Sequence, residues 1–533
     1  MLSSPNREAP DFQSRGESRL TEICVDRESA RSSLELTKLT FPIRSQLDPV
    51  YNPGPQLTEV AMMRVWGTAF KSLRRILVLT LTTGIYTLAQ TKSGPVDPGV
   101  RGGPAGAGTP LKGLTADETA FFQDGLNRFA EIEVVAGGSN NGLGPRFNSN
   151  QCASCHSQPA LGGTSPAKNP LPDVAHLAGA TNKVPWFIAP DGPVREARFQ
   201  KSNGQADGNV HDIFVITGRS DAPGCNIAQF DFLPAGNALT GQGGNPNIIF
   251  RIPTPVFGAG LIEAISDSAI LANIRTNAAE KLALGISGHA NAILSGNVNR
   301  SGNDGTITRF GWKAQNKSLL MFAGEAYNVE MGISNQLFPQ ERDETPSCLF
   351  FPSPNDTLNF TTPATTSTSN PAVVSDIEAF ADFMRMLAPP APAPSTPSSE
   401  KGRATFARIG CVHCHTPSFT TGKAIASGSS TSPSAALSNQ PVNLFSDLIV
   451  HHMGTGLADG ITQGGAGPDE FRTAPLWGLG QRVFFLHDGR TTNLVQAIRD
   501  HKSKGSEANK VIEHFNRLTV QEQQELIDFL RSL

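Results

Sequence analysis

The sequence predicts a mainly α-helical protein with long irregular loops, built as two like units of which the first carries a large insertion. Three observations predict it. The pentapeptide Cys-x-x-Cys-His occurs twice, at Cys152, Cys155 and His156 and again at Cys411, Cys414 and His415. Each copy is followed by a helical pattern that ends alike, Asp382-Phe-Met-Arg-Met-Leu387 and Asp528-Phe-Leu-Arg-Ser-Leu533, matching in four of six positions. Between the first motif and its closing pattern, residues 161–370 are rich in Gly and Pro and only briefly apolar.

The pentapeptide is the attachment signature of c-type haem. Two thiols three residues apart reach the two vinyl groups on one edge of a porphyrin, and the next residue then lies beneath the ring as proximal iron ligand. Two Cys-x-x-Cys pairs could instead complete a four-cysteine zinc site. The His directly after each pair, together with the signs of export below, favours haem. The two units are therefore expected to be cytochrome c-like haem domains holding two covalent c-type haems through His156 and His415.

A chain of 533 residues is too long for one ordinary core. Its charged fraction, 17%, lies below the globular norm of about 25%, while 52 Gly and 39 Pro fit a loop-rich chain wrapped around cofactors. The net charge of -3 gives no reason to expect nucleic acid. Seven cysteines leave Cys24, Cys225 and Cys348 outside the motifs. If Cys24 is removed on export, Cys225 and Cys348 are an even pair in an oxidising compartment and are expected to form a disulfide; two unrelated buried thiols are the alternative.

Taken in order, residues 1–61 are polar and without period, and read as a disordered or untranslated extension. Residues 62–90 read as a signal peptide beginning at Met62 or Met63: Arg64, Lys71, Arg74 and Arg75 precede the apolar run Ile76 to Ile85, and Thr87-Leu88-Ala89 offers a cleavage site. The run is short for a span of about 20 residues, so cleavage and a periplasmic location are expected, with an uncleaved signal anchor as the other possibility. Residues 91–113 read as a linker, and residues 114–388 as the first haem domain with its insertion. Within it, Thr115 to Phe129 has a Thr cap with Glu118 three residues on, the pattern of a helix start. Ile213–Ile216 and Ile248–Ile252 are short strand-like runs, and Asp376 to Leu387 is a closing helix. Residues 389–399 are Pro-rich and read as a hinge. Residues 400–533 form the second domain. There Glu400 to Ile409 leads into Cys411 with Gly402, Phe406 and Gly410 at every fourth residue, and an amphipathic helix closes the chain.

An iron with two axial ligands relays electrons; one with an open side can bind peroxide or oxygen. Beyond the signal peptide there are one Tyr, Tyr327, and five Met. Met384 and Met386 follow the apolar spacing of a core. Met453, in the Gly-rich stretch after His451 and His452, is the first candidate for the distal ligand of the second haem, because Met opposite His suits an electron relay. His451 is the alternative, and a surface His-His pair beside a packed Met remains open. His176 is a weaker candidate for the first haem, since a lone loop His is commonly just solvated.

The pattern resembles the di-haem oxidoreductase family, related to the bacterial di-haem cytochrome c peroxidases. Near the C-terminus Phe471, Arg472, His487, Asp488, Gly489 and Arg490 resemble the Phe-Arg and His-Asp-Gly-Arg stretches of the peroxidases. In the middle, FGWKAQNKSLLMFAGEAYNVEMG resembles their Trp-Asp-Gly-Arg and Val-Glu-Met-Gly sequence. The resemblance implies that Trp312 lies between the haems and that Glu330 stands over the peroxide-binding iron, where a carboxylate can move a proton between the two peroxide oxygens. It also implies a small electron-donor protein, a cytochrome c or a copper protein, and a peroxide-like substrate. The chain departs from the family at Lys313-Ala314-Gln315, which replaces Asp-Gly-Arg. It also lacks the Gln expected about ten residues before Glu330, where Leu320 or Phe322 falls, and a match near residues 252–260 to the Asn of the family's calcium site. A calcium ion is thus left open. The expectation is a peroxidase; the rivals are a di-haem electron carrier and an oxidase of an organic or thiol substrate.

Overall fold

The computed structural model describes residues 94–533, apart from 139, 203, 233–246, 293–306, 357–373 and 427–431. The expected extension 1–61, the signal peptide with its start at Met62 or Met63, and Cys24 lie outside the described residues.

Two helix pairs carry the repeat. Ala116–Phe129 packs on Asp376–Met386, and Pro397–Arg408 packs on Val520–Ser532. Their starts are set by side chains: Thr115 with Glu118 and Thr519 with Glu522 form capping boxes, and Ser375 caps Asp376–Met386. Close approach within each pair depends on one glycine. A Cβ on Gly125 would run into the carbonyl oxygen of Ala379, and one on Gly402 into that of Glu525. Four residues on, Phe129 lies with its ring 4.9 Å from Phe383 and 6.0 Å from His156. Phe406 likewise lies 5.5 Å from Phe529 and 6.0 Å from His415. Each lead helix thus wedges an aromatic ring between its closing helix and the His of its motif, and the hexapeptide repeat in the sequence marks this contact.

At an exposed helix site Gly→Ala gains about 1 kcal/mol of helix propensity. Gly402→Ala is expected to do the reverse, destabilising by about 1–3 kcal/mol because the helices must part. The denaturation midpoint of the haem-loaded protein reads the sign.

The proline-rich segment is less free than its composition suggests. The second lead helix begins at Pro397, three residues earlier than expected, because Thr396 caps it and a Pro in the first turn loses no hydrogen bond. Upstream, Ala391 N–H bonds to Gly106 O and Ala393 N–H to Ser532 O, at 2.8 and 2.7 Å. The expected linker is likewise a strap. Asp97 pairs with Arg531 at 2.8 Å, Arg101 donates to Ser532 O and Ala391 O, and Leu111 N–H bonds to Met386 O. The described residues accordingly belong to one compact unit.

The fold is mixed rather than mainly α, with short strands scattered from Arg146 to Arg472. Glu196–Phe199 is the centre of a three-stranded antiparallel sheet between Val210–His211 and Ile248–Arg251, and Phe214–Val215 pairs with Arg146–Phe147. The two apolar runs singled out in the sequence are both strands here. The others, two to four residues long, are too short to show alternation. Cys225 and Cys348 are joined in a disulfide across 123 residues, as expected. Among the described residues no helix is long and apolar enough to cross a membrane.

Candidate functional site: two cavities sharing one tryptophan

Each Cys-x-x-Cys-His segment forms a single turn, closed by His156 N–H to Cys152 O at 3.1 Å and by His415 N–H to Cys411 O at 2.9 Å. The turn brings both thiols and the imidazole to one cavity wall. The first cavity, about 170 Å³, is lined by Cys152, Cys155, His156 and Phe129. The second, about 220 Å³, is lined by Cys411, Cys414, His415 and Phe406. None of the four cysteines is in a disulfide. Burial pushes the Cys155 thiol up to about 11 and Cys411 up to about 12, so both are protonated.

Nδ1 of His156 lies 2.9 Å from Gly163 O, and Nδ1 of His415 lies 3.0 Å from Phe445 O. A carbonyl can only accept, so the proton sits on Nδ1 and the lone pair on Nε2. Burial keeps both rings neutral and takes His415 down to about 4. These donor sets fit a haem in each cavity. The second cavity also has Arg472 and Arg482 in its wall, both pushed down to about 10 by burial and neither with an acidic partner among the described residues. Two buried guanidiniums without a counter-ion suit the carboxylates of a porphyrin.

Trp312 is buried and lines both cavities. Its Nε1 donates to Ile252 O at 2.9 Å, while Arg472 holds the turn through its own N–H to Trp312 O and its Nε to Gly311 O. His487 stands edge-on to the indole at 6.4 Å and stacks on Phe471 at 4.3 Å.

Glu330, near the C-terminal end of Leu319–Met331, is half-buried in the wall of the first cavity. Gly332 makes this placement possible. Its φ of 68° ends the helix, and a Cβ there would meet Arg146 O. The Glu330 carbonyl then accepts from Asn148 N at 2.7 Å, and Asn148 Nδ2 donates to its carboxyl at 2.9 Å. Burial, followed by the neighbouring Glu196 carboxylate, raises the Glu330 carboxyl to about 8.

The structure brings Met453 to the wall of the second cavity, packed with Trp312, Phe471 and Ile252. His451 lines the same cavity but is engaged on both sides. Nδ1 meets Glu507 at 2.7 Å and Nε2 meets Asp447 at 2.9 Å, so it is an imidazolium with no lone pair to offer an iron. His176 is exposed and outside the first cavity's wall. The sequence reading missed Glu196, Arg198, Arg251 and Gln315 in the first cavity and His501 in the second. The alternating charges of Arg195-Glu196-Ala197-Arg198-Phe199 were the available signal.

Two cavities, each walled by paired thiols and a neutral imidazole and joined by one buried indole, are the plan of a two-centre redox protein. The chain belongs to the family described as "Di-haem oxidoreductase, putative peroxidase", whose model matches residues 244–533. That family's description implies two haems. The solved structures to which the chain is similar at low identity include three proteins. The hydrazine synthase of Kuenenia stuttgartiensis is 20% identical over 30% of this chain and 55% of that one, with a TM-score of 0.20. The diheme peroxidase BthA of Burkholderia thailandensis is 17% identical over 42% and 65%, with a TM-score of 0.25. A MauG-like protein associated with microbial copper homeostasis is 18% identical over 30% and 52%, with a TM-score of 0.19. The chain thus spans about half to two thirds of the length of these proteins. A comparison with curated proteins found no match.

Proposed function

We propose that this protein is an exported di-haem c-type peroxidase. Its second centre would take electrons one at a time from a small donor protein, a cytochrome c or a copper protein. Its first would reduce a peroxide: ROOH, two electrons and two protons give ROH and water. Held covalently at the two motifs through His156 and His415, the haems would supply the one-electron chemistry of the reduction.

The observation that carries the reading is that Glu330 and Trp312 meet at the first cavity, and that Trp312 also walls the second. A neutral Glu330 carboxyl can accept the proton of one peroxide oxygen on its carbonyl oxygen while giving its own to the other. Gln315 and Asn148 are amides in the same wall, able to orient the substrate where the expected helix Gln is missing. Trp312 shortens the gap between the centres. Met453 is the distal ligand we assign to the second centre, which makes that centre the relay. The periplasm is the compartment that suits the disulfide and covalent haem attachment.

Visible and EPR spectra of the protein matured with two haems, before and after partial reduction, test this. A high-spin signal in either state is the expected result. Two low-spin, six-coordinate haems in both states, inert to peroxide, would leave an electron carrier.

A further inference from the structure

Strand geometry places a second carboxyl against Glu330. Within Glu196–Phe199, residues 196 and 198 share one face and Ala197, fully buried, takes the other. The shared face is the cavity side, for Glu196 and Arg198 both line it. Arg198 Nε donates to Glu196 Oε1 at 2.7 Å, and Arg251, directly opposite Glu196 on the neighbouring strand, adds a second positive charge. Glu330 lines the same wall, and the two carboxyls shift one another, Glu196 down and Glu330 up. Two carboxylates only accept, so such neighbours can hydrogen-bond to each other only while the pair carries a proton.

We propose that Glu196, braced by Arg198, is a positioning residue that shares one proton with Glu330 and so keeps that proton available for the substrate. The proposal rests on the peroxidase reading of the site. Arg198 and Arg251 favour the ionised form at Glu196, which leaves the shared proton on Glu330; the directions of the two acids, Glu196 lowered and Glu330 raised, agree. The other groups facing Glu330 do not compete for this role. Asp212 is itself paired with Arg342 at 3.0 Å, Glu325, five residues back on the same helix, accepts from Asn316 Nδ2, and the Cys152 and Cys155 thiols are neutral. Proton balance follows. As Glu330 gives its proton to the departing oxygen it takes the one from the near oxygen, so the acid pair ends the step with the single proton it began with, and the two protons of the overall reduction are drawn from water.

The test uses haem-loaded protein carrying Glu196→Gln, with Glu196→Asp as the charge-conserving control and haem content checked in both. Removing the negative neighbour and freeing Arg198 should let Glu330 lose its proton earlier. The high-pH fall in peroxide turnover is expected to move down by about one unit or more, with the rate at low pH retained. Glu196→Asp should restore most of the wild-type profile. Independently of turnover, infrared difference spectra at pH 7 should show a protonated carboxyl in the wild type that disappears in Glu330→Gln and falls to about half or less in Glu196→Gln. A Glu196→Gln protein slowed equally at every pH, with its carboxyl band unchanged, overturns the proposal. A wild type inert to peroxide sinks the peroxidase reading instead, and the infrared result then decides the shared proton by itself.

Discussion

Glu330→Gln is expected to slow peroxide turnover by about 10²–10⁴-fold, the range that a positioned acid or base contributes. Gln keeps the shape and can still accept from Asn148, but it has no proton to give at any pH. Haem content and the visible spectrum should therefore stay as in the wild type while turnover collapses. The wild-type rate should hold below about pH 8 and fall above it, because the protonated carboxyl is the working form and Glu330 loses its proton near there. The same raised value has a consequence for stability of opposite sense. The folded state keeps this proton longer than the unfolded chain, so its stabilising effect is complete below the ordinary Glu value of 4.5 and is lost as pH rises to about 8. Gln removes that loss. Glu330→Gln should melt higher than the wild type at pH 8 and equally at pH 4, with a variant both dead and more stable at high pH as the signature. A Gln variant that keeps a tenth or more of the turnover removes Glu330 from the chemistry.

How much of this was legible in the sequence depends on what kind of contact each element makes. The helix pairs were legible because their starts are written locally, in Thr115 with Glu118 and Thr519 with Glu522, and their faces repeat every few residues. The cavity built on the insertion was not. Glu196 and Arg198 sit in a four-residue strand whose partner begins at Ile248, and nothing local reports a pairing over that distance. His451 misled for a related reason: its nearest acid is four residues away, but the one that closes off its second nitrogen, Glu507, arrives from a distant loop. Lys313-Ala314-Gln315 could be read only as departures from a family pattern. In the structure Gln315 faces the first cavity, and Ala314 holds a φ of 51°, a turn that glycine would make without strain. Lys313 is something else again.

Lys313 belongs to a buried charge cluster whose weakest point is Asp459. Asp459 accepts from Arg251 at 2.7 Å and from Lys313 at 3.1 Å, and all three side chains are essentially out of solvent. The Lys313 ammonium also donates to Gly467 O and Glu470 O and lies 4.2 Å above the Phe471 ring. Burial pushes its proton affinity down to about 8, with Asp459 the largest opposing influence. Asp459→Asn would leave two buried cations without their shared acid, and breaking a buried pair in this way costs about 3–5 kcal/mol. Lys313→Met should cost less, because Asp459 keeps Arg251 and the methyl group fills the same space, although two carbonyls lose their donor. The double variant should be milder than Asp459→Asn alone, since only one cation then lacks a partner. Denaturation midpoints of the three haem-loaded proteins give the order. The cluster adjoins Trp312 at Lys313 and the proton-bearing cavity at Arg251, opposite Glu196. In Asp459→Asn the transfer of electrons between centres and the pH profile at Glu330 should therefore both change, although Asp459 lines neither cavity. If Asp459→Asn melts within about 1 kcal/mol of the wild type, the two cations are neutralised by something other than Asp459, and this coupling between the indole and the acid pair is lost with it.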